Sequence, residues 1–206
     1  MNKAAKRFFR LRGYVWNIGY RPALGSYEKR KLGIFNVMNL LGLSAGILIP
    51  VVGLFSKQHF PPLVWMAAAS PALISLVVLT ANHFERYELA RLIYFTLYPL
   101  VTTLPYSMRV DAGIEFFFVL YGVLSVFFLR SIYNIVFAFG FSMACYFLVA
   151  AVWKDYDYSL EKHNLYMYLF NHLLAIFFIF YGLLLIRNEN MRYQNQTRDK
   201  IGRAHV

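Results

Sequence analysis

The chain has 206 residues, of which 59% are hydrophobic and only 15% charged. Soluble domains carry about 25% charged residues, so an ordinary soluble domain is excluded. The formal charge of +11 would point to nucleic acid in a soluble protein, but in a chain this apolar basic residues also set membrane topology. Cys145 stands alone, which rules out an internal disulfide and argues against a cysteine-based zinc site.

The apolar residues fall in runs of roughly 20, the length of helix that crosses a bilayer. Residues 1–31 precede the first run and hold nine basic residues and one acid, Glu28, interleaved with Phe8, Phe9, Tyr14, Trp16, Tyr20 and Tyr27. This pattern predicts a juxtamembrane segment against an anionic leaflet, with its aromatics at headgroup level. The first run lies behind that basic segment and is not followed by a small-residue cleavage site. It is therefore expected to stay as a span and not to be removed as a signal peptide.

Six spans are predicted, over residues 32–55, 62–81, 89–107, 112–129, 131–153 and 164–186. The break between the fourth and fifth falls in "FLRSIYN", where only Arg130 interrupts the apolar run. Residues 112–153 are too many for one span, even a tilted one, which requires a tight hairpin there. Pro50, Pro71 and Pro99 lie within spans and are candidate kinks. With the N-terminus inside, 17 of the 21 basic residues fall on the inner side. The outer side keeps Lys57, Arg109, Lys154 and Lys162. That asymmetry places both termini in the cytoplasm.

The outer loops are short. "KDYDYSLEKH" is the longest, so a stimulus would be received within the bundle or at its outer rim. Ionisable groups inside a membrane are functional candidates by default. Glu115, close after Arg109 and Asp111, and His172, beside Asn171, both belong to the outer half. Arg109, Glu115, Asn171 and His172 are the candidate sensing pocket: a protonatable pair, or a site for a small polar ligand or a quinone-like head group. The competing reading makes Glu115 an interfacial carboxylate and His172 an interhelical hydrogen bonder. Asn36 and Asn39 share a face of the first span, where interhelical hydrogen bonds are the expected role. Asp155, Asp157, Glu161 and His163 match no calcium-loop or zinc spacing. No Walker A loop, HExxH or GxSxG is present, so no catalytic residue, cofactor or metal is assigned.

The sixth span runs into "IRNENMRYQNQTRDK", polar and free of Pro and Gly. A helix leaving the membrane without a break would pass a rotation or piston movement onward. Leu184 and Met191 only hint at a heptad seam.

"NIGYRPALGSYEKRKLGIFNVMNLLG" resembles the approach to the six-span membrane module of sensor histidine kinases from Bacteroidetes-type bacteria. The shared features are Ile18-Gly19, Glu28-Lys29-Arg30, and Asn36 or Asn39. "RNENMRYQNQTRDK" is similar to that family's exit helix, and the resemblance covers most of residues 13–200. It implies a bacterial inner-membrane location, a homodimer, and an intact parent that phosphorylates a response regulator. Related modules also precede class III nucleotide cyclases. No kinase core follows, and His59, His83, His163 and His172 lack the setting of a phosphoacceptor.

The last six residues, "IGRAHV", back-translate to ATC GGA AGA GCA CAC GTC, which resembles a common sequencing adapter with a stop codon next. They are expected to be a non-native tail.

The resulting expectation is an all-α integral membrane bundle with four parts: a basic segment (1–31), six transmembrane helices (32–186), the start of a signalling helix (187–200) and the tail (201–206). Its partners would be the lipid bilayer and a second copy, with no nucleic acid. A small six-span transporter is the alternative from another functional class.

Overall fold

The computed structural model describes residues 13–53, 62–152 and 155–204. The first twelve residues of the basic segment, Lys57, His59, Trp153, Lys154 and the end of the tail lie outside the described residues.

The described chain is all-α. Helices α1 (Ser26–Gly53), α2 (Pro62–His83) and α3 (Tyr87–Ser107) lead to the two-residue strand β1 (Val110–Asp111). Then come α4 (Phe116–Phe128), α5 (Ile132–Val152), strand β2 (Tyr158–Ser159), the single turn α6 (Leu160–His163) and α7 (Leu165–Ala204). The "FLRSIYN" break is present: Leu129 turns extended and residues 129–131 separate α4 from α5.

Four helices, α1, α2, α5 and α7, are long and apolar enough to cross a membrane. Helix α3 has the length, at 21 residues, but not the hydropathy. Helix α4 has the hydropathy but only 13 residues, about 20 Å of helix against a hydrocarbon core of about 30 Å. The four residues expected to begin its span, 112–115, form a turn instead. The reason is local: the Asp111 carboxylate accepts from the Gly113 N–H at 3.0 Å, and Gly113 takes φ +63°. The Tyr106 hydroxyl accepts the Ile114 N–H at 2.9 Å. Irregular backbone at membrane depth needs protein partners of this kind.

Helix α3 is the centre of the bundle, packed against α2, α4 and α5. Ten of its residues are buried, including Arg91, Tyr94, Tyr98, Thr102 and Thr103. Its rings join an aromatic core with Phe35 of α1 and Phe128 of α4; the Phe35–Tyr94 and Phe35–Phe128 centroids are 5.2 and 5.0 Å apart. Polar side chains there are tied inside the bundle. The Tyr98 hydroxyl meets Ser75 Oγ at 3.0 Å, and Thr102 bonds its own helix at the Tyr98 carbonyl. A helix walled by protein does not need the apolar surface that lipid demands, which accounts for its low hydropathy.

Helices α1 and α2 approach closely through small residues. A Cβ on Gly46 would collide with the backbone of Ala72, and one on Gly42 would crowd Ser75 and the Tyr98 hydroxyl. Gly42 and Gly46 form a Gly-x-x-x-Gly pair, the spacing that lets membrane helices pack backbone to backbone. Pro71 leaves the Ala67 carbonyl without its helical donor, and Ser70 Oγ supplies one at 2.6 Å.

Helix α7 is peripheral. It lies along α4, with Gly182 on Leu124 and Gly113 on Tyr168, so the two helices run parallel. Only 12% of its most apolar stretch is buried within the chain. Phe170, Phe177, Phe180 and Tyr181 are exposed, as lipid-facing residues are. Forty residues make about 60 Å of helix, roughly twice the hydrocarbon thickness.

Candidate functional site

Successive helices alternate in direction, so the polar residues collect at two ends. One is basic, holding Lys31, Arg86, Arg91 and Arg130. The other is acidic, holding Asp111, Glu115, Asp155, Asp157 and Glu161.

At the basic end the N-terminal segment folds back on the helix ends. Asn36 Nδ2 donates to the Ile18 carbonyl at 2.9 Å, and Asn82 Nδ2 donates to Asn36 Oδ1 at 2.8 Å. Tyr87 donates its hydroxyl to the Gly19 carbonyl. Gly19 has φ +73°, and a Cβ there would strike the Asn82 carbonyl, so both conformation and space call for glycine. Asn39 instead donates to Phe35 in its own helix, at 2.8 Å.

Arg91 is only 2% exposed and is held by Glu28 at 3.1 Å and Glu88 at 3.2 Å. Arg21 pairs with Glu85 across the α2–α3 turn. Buried Lys31 lies over the Phe127 ring, 5.7 Å from its centroid, in the last turn of α4, where a cation opposes the negative end of the helix dipole. Features spread over residues 18–91 thus form one structural clasp.

At the acidic end the candidate residues separate into two groups. Glu115 and His172 come together, with His172 Nε2 3.5 Å from Glu115 Oε2 and both side chains largely enclosed. His172 Nδ1 lies 3.0 Å from the Tyr168 carbonyl. Phe116 meets the imidazole edge-on at 5.0 Å. Asn171 Nδ2 donates to the Ala112 carbonyl at 3.0 Å. Asn171 and His172 therefore tie α7 to the turn before α4, and Glu115 sits at the N-cap of that helix.

Arg109 stands apart. Its guanidinium is exposed and pairs with Asp157 at 3.4 Å. Its backbone does more: with φ +60° it presents its carbonyl to the N–H groups of Asp157 and Tyr158, at 2.8 and 3.2 Å.

Asp111 belongs to this end although the sequence reading assigned it no role. It is buried, and its second carboxylate oxygen accepts from Ser159 Oγ at 3.0 Å. With the parallel pairing of Val110–Asp111 to Tyr158–Ser159, it fastens the 155–163 segment to the stretch between α3 and α4. Asp-x-Gly at residues 111–113 was the available signal, since Asp readily caps a turn two residues on. Behind it, Tyr106 is fully buried and packs on Tyr156 at 6.1 Å. Among the described residues no group of three or more His, Cys, Asp or Glu could hold a metal ion.

Comparison with protein-family models, with curated proteins and with solved structures finds no match to this chain.

Proposed function

We propose that the chain is the membrane input module of a bacterial sensor protein. Six helices cross the inner membrane with both termini in the cytoplasm, and α7 passes the signal to an output domain. The family resemblance makes that output a histidine kinase core, in a dimeric parent acting on a response regulator.

The observation that carries this reading is α7. It is one unbroken helix of 40 residues, attached at its outer end by the Glu115–Asn171–His172 contacts and packed along α4 with little of its apolar stretch buried. A change at those contacts moves a rigid rod whose far end lies well outside the bilayer. With Arg203 of the expected non-native tail left out, the 16-to-4 distribution of basic residues supports the orientation. The enclosure of α3, and the partnered turn before α4, support counting both among the six spans. The transporter alternative needs a polar pathway through the midplane. Here the mid-bundle polar groups Ser75, Tyr98 and Thr102 are hydrogen-bonded within the bundle.

The test uses the parent gene cloned from intact genomic DNA, with residues inserted after Arg187. One inserted residue turns everything beyond it by about 100° and four restore the phase to within about 40°. Autophosphorylation should change severalfold with one inserted residue and recover with four. Output indifferent to every insertion, or transport by this chain alone in proteoliposomes, would overturn the reading.

A further inference from the structure

We propose that Glu115 and His172 form a proton-binding site, and that one proton shared between Oε2 and Nε2 fastens α7 to the start of α4. As a stimulus, this proton rests on the sensor reading above; as a site, it rests on the geometry alone.

The argument is a proton count. The Tyr168 carbonyl can only accept a hydrogen bond, so the imidazole nitrogen 3.0 Å from it carries a hydrogen. That nitrogen is Nδ1. In a neutral imidazole the other nitrogen is then bare. Bare Nε2 would then lie 3.5 Å from Glu115 Oε2 with no hydrogen between two electron-rich atoms. Oε2 is also buried and has no hydrogen-bond partner in the chain, an arrangement costly for an ionised oxygen. One further proton removes both conflicts, giving either an imidazolium beside a carboxylate or an imidazole beside a carboxylic acid. The opposite tautomer does not help, because it satisfies Glu115 only by leaving Nδ1 bare against the Tyr168 carbonyl.

The neighbours do not supply that proton. Asp111, from β1, spends its carboxylate on the Gly113 N–H and the Ser159 hydroxyl. Tyr106, from α3, accepts the Ile114 N–H, and Glu115 Oε2 is left without a hydrogen-bond partner. Tyr168 on α7, Tyr156 before β2 and Glu161 on α6 are the other titratable groups in the field of this cluster. Arg109 is occupied by Asp157.

Loss of the shared proton therefore breaks one of the two polar contacts of the His172 ring nitrogens. Glu115→Gln replaces the conditional contact with an unconditional one: its amide donates to bare Nε2 and needs no shared proton.

The experiment is solid-state NMR of the full chain, carbon- and nitrogen-labelled, in phospholipid bilayers, with His172→Gln identifying the His172 signals. It is paired with spin-label distances between Tyr133→Cys and Gln194→Cys in a Cys145→Ala background. We expect Nδ1 to be protonated and a proton to be held between Nε2 and Glu115. Raising the pH should remove that proton, and the label distance should change with the same midpoint. In Glu115→Gln, His172 should be neutral with its hydrogen on Nδ1, and the distance should not respond to pH.

A neutral His172 with its hydrogen on Nε2 beside an ionised Glu115 would overturn the proposal. So would a distance that ignores the proton, or one that responds equally in Glu115→Gln. The insertion experiment remains separate: a kinase output that follows helix phase while NMR finds no shared proton removes the site and leaves the sensor reading in place.

Discussion

The two ends of the bundle fasten their helices by different chemistry. At the basic end the central group is Arg91, enclosed at 2% exposure between Glu28 and Glu88. A guanidinium keeps its charge across the accessible pH range, so the cation of this clasp is fixed, and the Glu28 and Glu88 carboxylates complete it. The Asn36–Asn82 link beside it has no titratable group. At the acidic end the tie between α4 and α7 runs through the Glu115–His172 contact and the Asn171–Ala112 hydrogen bond. One end holds α1, α2 and α3 through a buried guanidinium and an amide link, while the other ties α7 through an amide link and the pair proposed to share a proton. Charge placement within a membrane protein can thus separate a scaffold from a moving part without any difference in helix type.

Removing the carboxylates at the basic end should have the largest effect. Glu28→Gln combined with Glu88→Gln leaves Arg91 buried and unpaired, which costs about 3 kcal/mol. Thermal unfolding in detergent should fall accordingly, and an unchanged melting curve would erase the contrast between the ends. Asn82→Leu removes the donor to Asn36 and strands a buried amide oxygen, for a loss of about 1–2 kcal/mol in the same assay. The smallest effect should come from Arg109→Ala. Its ion pair with Asp157 is exposed on both sides, so the shift should stay within about 0.5 kcal/mol. A larger one would make Arg109 part of the site after all.

Much of this organisation can be read along the chain. Four of the five breaks between the long helices follow from apolar run length, and the fifth, at Arg130, follows from the limit on how long one span can be. Glu115, Asn171 and His172 stand out because polar groups in apolar runs are costly. Arg109 entered the candidate pocket through its closeness in sequence to Glu115, and in the structure its side chain pairs with Asp157. Asp111 lies between them and is the residue that organises the turn, yet an acid near a span end looks like interface. The Gly42–Gly46 spacing was not singled out in the sequence, and it takes on a role only with Ala72 placed against Gly46.

Composition and periodicity alone determined that this is a helical membrane protein, where its apolar runs lie, and which end of it is basic. Those properties depend on local length and on transfer from water to lipid, which each segment expresses by itself. Only the tertiary structure decided that α3, the least lipid-like of the long helices, is the central one, that 112–115 is a turn, and that Nδ1 of His172 faces a carbonyl while Nε2 faces a carboxylate. These depend on which neighbour a side chain meets, and in the case of His172 the neighbours lie on two different helices.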